Sequence, residues 1–464
     1  MRISLLDNQI NKPTEWKDAA SADYKDDYKE ILDQFNEVSL QELQSNELDE
    51  TRFLVFPSEN AKSDLDQKDR FIYKLDWKKR KAPAFQTGNV MGFMSLADDL
   101  QMQITSRFDK ADKNFFLHYM LQKVCNVALT PKTDSLDESI LDFLYYLFPG
   151  YLKEACSQGI YRAYVKQEYN DANIRGPIDV AQHIRYNTPF NGKIAYHTRE
   201  YTTNNKVTQL IRHTIEYIRS LNEGGIILES DGDVRDDVSD IIAATPTYSK
   251  NSRLQVIAQN LSPVTHPYYT AYEPLRKLCL AILRHDKLSY GTNANEPIRG
   301  ILFDGAALWE EYLAKVFEEQ NLDYLTHPNN RKRTNGIQIF ENGRHYYPDF
   351  YSRNSSKDTN DGIIIDAKYK YACTREDYFQ MIAYMHALKI SKSVLISPNS
   401  CEHPDSAFVE YKDSKKIVDN GGEIFRFKIP ICPNVNTFAD FCTLMKSVEK
   451  ELANRITETI RTTL

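Results

Sequence analysis

Tyr347-Pro348-Asp349-Phe350 and, after a polar stretch, Ile363-Ile364-Ile365-Asp366-Ala367-Lys368 decide how this chain reads. Each segment has the pattern of a β-strand. Three isoleucines before Asp366 are the pattern of a buried central strand. Side chains alternate along a strand, so Asp366 and Lys368 share a face, roughly 7 Å apart. The polar, turn-forming residues 352–362 suit a hairpin between two antiparallel strands. Paired strands lie ~4.8 Å apart, which sets Asp349 beside Asp366. Two carboxylates held together repel and raise a pKa. Mg²⁺ relieves that repulsion and favours a few carboxylates plus waters and substrate phosphate. Two acids and a lysine at one point are the groups that metal-dependent hydrolysis of a phosphodiester requires. The acid-x-Lys triplet alone is a weak signal, since Glu15-Trp16-Lys17, Asp23-Tyr24-Lys25, Asp76-Trp77-Lys78 and Asp413-Ser414-Lys415 share it. Taken alone, Asp366 also reads as a solvent-facing charge or as an ion pair with Lys368.

The surroundings of this pair read as one α/β domain over residues 296–464. A helix is expected over 305–320, strands near 337–340, 345–351 and 363–368, a helix over 376–390, strands near 393–397 and 423–429, and a helix from Phe438 onward. Helix, three strands, helix, strand is the core of a small nuclease fold. In the first helix Leu308, Trp309, Tyr312, Leu313, Val316 and Phe317 form an apolar stripe. Glu311 falls opposite the stripe and should be exposed. Glu310 falls at its edge, where it can reach the sheet as a third acid; otherwise it is a plain surface glutamate. The second helix opens with Thr374-Arg375-Glu376-Asp377, a capping-box start. Gln380 and Tyr384 follow four apart and share a face. An amide and a phenol there suit a water or a DNA phosphate, or ordinary packing.

Upstream, the first ~85 residues are polar, with weak periodicity; 24–43 suits helices and 52–57 a short strand. Alternation over 90–96 and 100–104 reads as a hairpin, and 113–127 and 136–147 as helices. A middle region over 161–295 contains Asn173-Ile174-Arg175-Gly176-Pro177-Ile178-Asp179, where Gly-Pro breaks regular structure and leaves Arg175 at an exposed bend. Val207, Leu210, Ile211, Ile215, Ile218 and Leu221 recur at helical spacing, with Gly224-Gly225 as the stop. The acidic segment 230–240 reads as a loop. The division expected is a mixed α+β N-terminal region over 1–160, the middle region over 161–295 and the nuclease-like domain over 296–464.

The 464 residues suffice for two or three domains. Hydrophobic residues at 41% and charged residues at 27% are those of a soluble globular protein. The N-terminus lacks the apolar run of a signal peptide, and no apolar stretch of about 18 residues predicts a membrane span. The seven cysteines make no Cys-x-x-Cys pair, which argues against zinc ribbons and cysteine-ligated clusters. Reduced thiols and a cytoplasmic location follow. A net charge of −7 is not that of a DNA-coating protein, so grip on nucleic acid must come from a local patch or a partner. Arg331-Lys332-Arg333, with Arg344, His345, Lys368 and Lys370 near in sequence, is one such patch, or a solvated loop.

Pro348-Asp349, Asp366-x-Lys368 and Gln380-x-x-x-Tyr384 resemble the motifs of the PD-(D/E)xK nuclease superfamily, the last its RecB-like branch. Leu308-Trp309-Glu310-Glu311-Tyr312, Arg175-Gly176-Pro177-Ile178-Asp179 and the helix opening Phe438-Ala439-Asp440-Phe441-Cys442 are similar to the McrC family, the nuclease subunits of McrBC-type restriction systems. The resemblance runs from about Met91 onward and is strongest over 300–384. It implies a restriction-endonuclease-like C-terminal domain that cuts double-stranded DNA without moving along it. It also implies a separate McrB-like AAA+ GTPase hexamer as partner, met through the N-terminal half, with Arg175 and Gly176 in the ring-contacting part. The absence of a Gly-x-x-x-x-Gly-Lys-[Ser/Thr] loop fits a chain that leaves GTP to its partner. The resemblance further implies Mg²⁺, with Mn²⁺ as substitute, on Asp349, Asp366, the Ala367 carbonyl and Glu310. Lys368 would attend the attacking water, and Gln380 and Tyr384 the substrate. One such site cuts one strand, so a double-strand break takes a second copy. Two rival readings stay open: a stand-alone repair or recombination nuclease, and a non-catalytic activator of an AAA+ ring.

Overall fold

The computed structural model describes residues 2–12, 27–40, 42, 53–56, 71–77, 83–97, 100–109, 114–125, 136–221, 224–229, 232–284, 300–328, 334–341, 343, 345–352, 362–402, 408–419, 421–432 and 434–461. The strands are β1 (Arg2–Leu6), β2 (Ile10–Asn11), β3 (Phe53–Phe56), β4 (Tyr73–Asp76), β5 (Ala84–Thr87), β6 (Val90–Ala97), β7 (Leu100–Thr105), β8 (Ala163–Asp171), β9 (Ile194–Thr202), β10 (Gly300–Asp304), β11 (Ile337–Gln338), β12 (His345–Tyr346), β13 (Phe350–Ser352), β14 (Ile363–Ala367), β15 (Lys392–Ser400), β16 (Glu410–Ile417) and β17 (Gly422–Ile431). The helices used below are α1 (Val180–Tyr186), α2 (Lys206–Arg219), α3 (Gly232–Ala244), α4 (Gly305–Glu319), α5 (Arg375–Leu388) and α6 (Phe438–Arg461). The chain is mixed α+β, as its sequence predicts.

The chain folds as two compact units, one made of 1–140 with 296–464 and the other of 141–295. The first unit joins segments that the sequence division kept apart. Its N-terminal sheet has the order β1-β7-β6-β10-β3. All five residues of β10 are buried, and the strand lies between β6 (antiparallel) and β3 (parallel). The last segment of the chain thus opens inside the sheet of the first. Gly92 makes this approach possible: a Cβ there would lie 2.0 Å from the Ile301 carbonyl oxygen, and its φ is +137°. The expected hairpin is β6–β7.

The second sheet of this unit has the order β13-β14-β15-β17-β16. β14, β15 and β17 run parallel, and β13 and β16 are antiparallel edges. The single strand expected over 345–351 is two strands. Pro348 brings no N–H to a ladder, so β12 pairs with β11 and β13 with β14. β16 has no apolar alternation to announce it; Lys415 and Lys416 mark it as a charged edge strand. In α4 the predicted stripe is buried throughout, with Trp309 stacked on Tyr312 at 5.4 Å. Asp304 caps this helix through the Ala306 and Ala307 amides.

In the second unit α2 buries Val207, Leu210, Ile211, Ile215 and Ile218 as expected and carries a capping box between Asn205 and Thr208, while Leu221 lies half-buried beyond its end. The helix ends at Arg219, and Gly224-Gly225 begin a new short helix rather than ending this one. The acidic segment read as a loop is largely helix α3. Val234, Val238 and Ile241 recur on one face and are buried there, while Asp233, Asp236 and Asp240 take the solvated face. No described helix is long and apolar enough to cross a membrane.

Candidate active site

The pairing of β13 with β14 builds the site. Phe350 faces Ile365, so one step along the same register Asp349 comes opposite Asp366. Ile363, Ile364 and Ile365 are fully buried, and Asp366 is only 1% exposed. The structure therefore removes the solvent-facing reading of Asp366. A carboxylate withdrawn from water needs compensation. Lys368 Nζ lies 2.7 Å from Asp366 Oδ2. The direction of that contact is outside hydrogen-bond geometry, so the buried Oδ2 has no aligned donor. Asp349 is half-buried, and its Oδ2 accepts from the Ala367 amide at 2.6 Å.

Helix α5 closes the other side. It opens with the expected capping box between Thr374 and Asp377. Lys368 Nζ donates to Gln380 Oε1 at 3.1 Å, and Gln380 Nε2 donates to the Tyr384 hydroxyl at 3.2 Å. The amide orientation is the one this chain of partners requires. Its consequence is directional: the phenol accepts from Gln380 and keeps its own proton to donate. Burial pushes the Tyr384 phenol up to about 12, so it stays a neutral donor at physiological pH.

The charges are interdependent. Burial, then Glu310 and Asp366, push the Asp349 carboxyl well above the usual range, and Lys368 and the Ala367 amide pull it only part of the way back. Burial works against the Lys368 ammonium, but Asp366 and Asp349 outweigh it and hold its pKa above the ordinary value. Lys368 is thus a fixed cation and not a base. Glu310 Oε1 lies 3.9 Å from His327 Nε2, and its charge is among those that push Asp349 up. Glu311, expected to be exposed, is half-buried.

Among the described residues, no three acidic, histidine or cysteine side chains gather closely enough to hold a metal by themselves. Two carboxylates beside an unsatisfied buried oxygen suit Mg²⁺, which keeps waters and takes oxygen ligands from substrate. The expected basic patch is not a free patch. Lys368 pairs with Asp366, and Lys370 with Asp377 at 2.6 Å. Arg331-Lys332-Arg333 and Arg344 lie outside the described residues.

Two features escaped the sequence reading. His327 joins Asp349 through Nδ1, 2.8 Å from the Asp349 carbonyl oxygen. The stretch after Lys368 is anchored to the N-terminal sheet by Arg107, whose Nη2 donates to the Tyr369 carbonyl and whose guanidinium lies 4.7 Å from the Tyr369 ring centre. Arg107 is held in turn by Asp7, through its amide at 2.6 Å and its Nη1 at 3.3 Å, and by Asn89 at 3.1 Å. Tyr369 and Tyr371 close the node on Ser106 Oγ (2.7 Å) and the Arg107 carbonyl (2.6 Å). Burial pushes the Asp7 carboxyl up to about 6, with Arg107 pulling it back. The Arg107–Tyr369 contact spans 262 residues of sequence and the Arg107–Asp7 contact 100, separations at which local patterns are silent.

In the second unit Arg175 and Gly176 form a built bend. Arg175 Nε donates to the Tyr196 hydroxyl at 3.0 Å, Nη2 lies 3.6 Å from Asp171, and the guanidinium sits 4.6 Å from the Tyr169 ring centre. Its side chain is nevertheless 58% exposed. Gly176 is needed for packing, because a Cβ there would lie 2.1 Å from the His197 carbonyl oxygen.

No curated protein matches the sequence. Among solved structures, the chain is similar to a chain of a half-complex from the tetradecameric assembly of Thermococcus gammatolerans McrB AAA+ hexamers with bound McrC. The identity is 12% and the TM-score 0.45, covering 98% of this chain and 100% of that one. A second likeness, to a chain of the Thermococcus gammatolerans McrBC complex, has 13% identity and a TM-score of 0.31, covering 69% and 88%. The sequence match is to the model of McrBC 5-methylcytosine restriction system components, and it runs over residues 85–398, well over half of the chain. The chain belongs to that family.

Proposed function

We propose that this chain is the DNA-cutting subunit of its restriction system, a PD-(D/E)xK endonuclease that hydrolyses phosphodiesters with Mg²⁺. The observation that carries the reading is the buried Asp366, paired with Lys368 and set opposite Asp349 across one strand register. Asp349, Asp366 and the Ala367 carbonyl would hold Mg²⁺ or Mn²⁺, with Glu310 binding directly or through water. The bound ion would supply a polarised phosphoryl oxygen and a water of lowered pKa. Lys368, fixed as an ammonium, stabilises charge developing on phosphate and orients the attacking water by donation. Gln380 keeps that ammonium in place, and the Tyr384 hydroxyl donates to a phosphate oxygen. Asp349 serves as a carboxylate once a cation offsets its burial and its repulsion by Glu310 and Asp366.

The second unit serves the partner. Arg175, on the bend that Gly176 permits, contacts an McrB-like AAA+ GTPase ring and stimulates its GTP hydrolysis. Two copies of the nuclease domain, or two complexes meeting, make a double-strand break. The test is cleavage of plasmid DNA by the wild-type chain with Mg²⁺, with and without an McrB-like GTPase partner and GTP. Cleavage that needs both Mg²⁺ and GTP hydrolysis supports the reading. Efficient partner-free cleavage indicates a stand-alone nuclease. Intact restriction by Asp366→Ala indicates a scaffold that only activates the ring.

A further inference from the structure

His327 sits at the acidic centre without belonging to any motif. Thr326, just before it, makes a two-bond bridge with Tyr351: its amide donates to the Tyr351 carbonyl at 2.7 Å and its carbonyl accepts from the Tyr351 amide at 3.0 Å. The bridge extends the sheet beyond β13 and sets His327 level with Asp349 and Phe350. The imidazole stacks on Phe350 at 4.7 Å and 22°. Phe350 is itself buried and packs edge-on against Phe317 at 4.9 Å. Backbone and ring thus both fix the imidazole, leaving its two nitrogens little freedom.

The partners assign the nitrogens. The Asp349 carbonyl oxygen, 2.8 Å from Nδ1, can only accept, so Nδ1 carries a proton. Nε2 points the other way and lies 3.9 Å from Glu310 Oε1. A histidine that donates to the main chain of a metal-binding residue steadies that residue from outside the ion's own ligands.

We propose that His327 is a positioning residue of the acidic centre, setting the main chain of Asp349 for a divalent cation. The inference rests on the metal-dependent reading of the Asp349–Asp366 pair. It is tested by Mn²⁺ titration of the full chain, followed by electron paramagnetic resonance, with metal-free melting temperatures recorded in parallel. The variants are His327→Ala, His327→Asn and Asp366→Ala. An asparagine amide reaches the place of Nδ1 and can keep the donation to the Asp349 carbonyl. His327→Ala should weaken Mn²⁺ binding about tenfold or more, His327→Asn should restore most of it, and Asp366→Ala should abolish it. If His327→Ala fails to fold, His327→Gln, whose amide reaches the place of Nε2 only, carries the same expected loss. Wild-type affinity in His327→Ala, or an equal loss in His327→Asn, overturns the inference, while loss of Mn²⁺ binding in Asp366→Ala leaves the metal site standing. Wild-type affinity in Asp366→Ala overturns both.

Discussion

Two antiparallel strand pairs in this chain bury opposite things. β13 and β14 withdraw charge from water: Asp366 is buried beside Lys368, Asp349 accepts from the Ala367 amide, and Lys368 donates to Gln380. β8 and β9 leave apolar and aromatic groups in it. Along β8 every second residue is exposed. Tyr164 and Tyr201 are 66% and 49% exposed, and α1, carried between the two strands, has no buried residue. A polar group in a dry place and an apolar group in a wet place are both unfinished. The first is completed by a cation or a reacting group, the second by another molecule. On this contrast rests the assignment of chemistry to one pair and of docking to the other.

The contrast breaks first at Lys368. Lys368→Ala removes the one fixed cation of the centre, and Mg²⁺-dependent cleavage should fall by about 10²–10³-fold. The affinity for the GTPase should stay unchanged by pull-down or interferometry. Loss of partner affinity in this variant would mean that the two roles are not separable.

Arg107→Ala strands the buried carboxylate of Asp7 and frees the Tyr369 carbonyl. Removing one partner of a buried pair costs about 3–5 kcal/mol, measurable by denaturant unfolding. A cost below about 1 kcal/mol would show that the node does not anchor the stretch behind Lys368. At the other pair, Arg175→Ala should change stability by less than about 0.5 kcal/mol yet weaken partner binding by roughly 5–30-fold, the scale of an interface anchor. Equal binding by this variant would leave the bend a structural turn.

Asp349→Asn sharpens the account of burial. The native carboxyl titrates above its unfolded value, so the charged form is disfavoured in the fold. For such a group the stabilising contribution is complete below the unfolded pKa and is lost as pH rises through the native one. Without metal, the amide variant should therefore melt roughly 2–4 °C higher than wild type at pH 8, and the gain should vanish near pH 4. A lower melting temperature at pH 8 would show that no repulsion is stored there. Asp7 gives the smallest effect by the same sign. Its carboxyl is raised to about 6, so its contribution declines as pH rises through 6, and Asp7→Asn should remove that part of the slope.

What the sequence revealed follows from range. Asp366 and Lys368 were legible because three adjacent isoleucines dictate a buried strand, and Asp349 because a hairpin carries its register in one short connection. The stripe of α4 and the capping box of α5 are likewise local. His327 and Arg107 were silent, since their meaning lies in partners brought by tertiary packing. The same holds for β10, whose five residues show that they are buried but not which strands they join. Composition misled at α3, where acidic residues on the wet face masked three well-spaced apolar ones.

The most direct test of the central claim is Asp366→Ala, measured for both roles in one preparation: Mg²⁺-dependent DNA cleavage and stimulation of the partner's GTP hydrolysis. The account predicts cleavage lost by about 10³-fold or more, with GTPase stimulation near the wild-type level. Cleavage retained, or both activities lost together in a protein that melts like wild type, would contradict it.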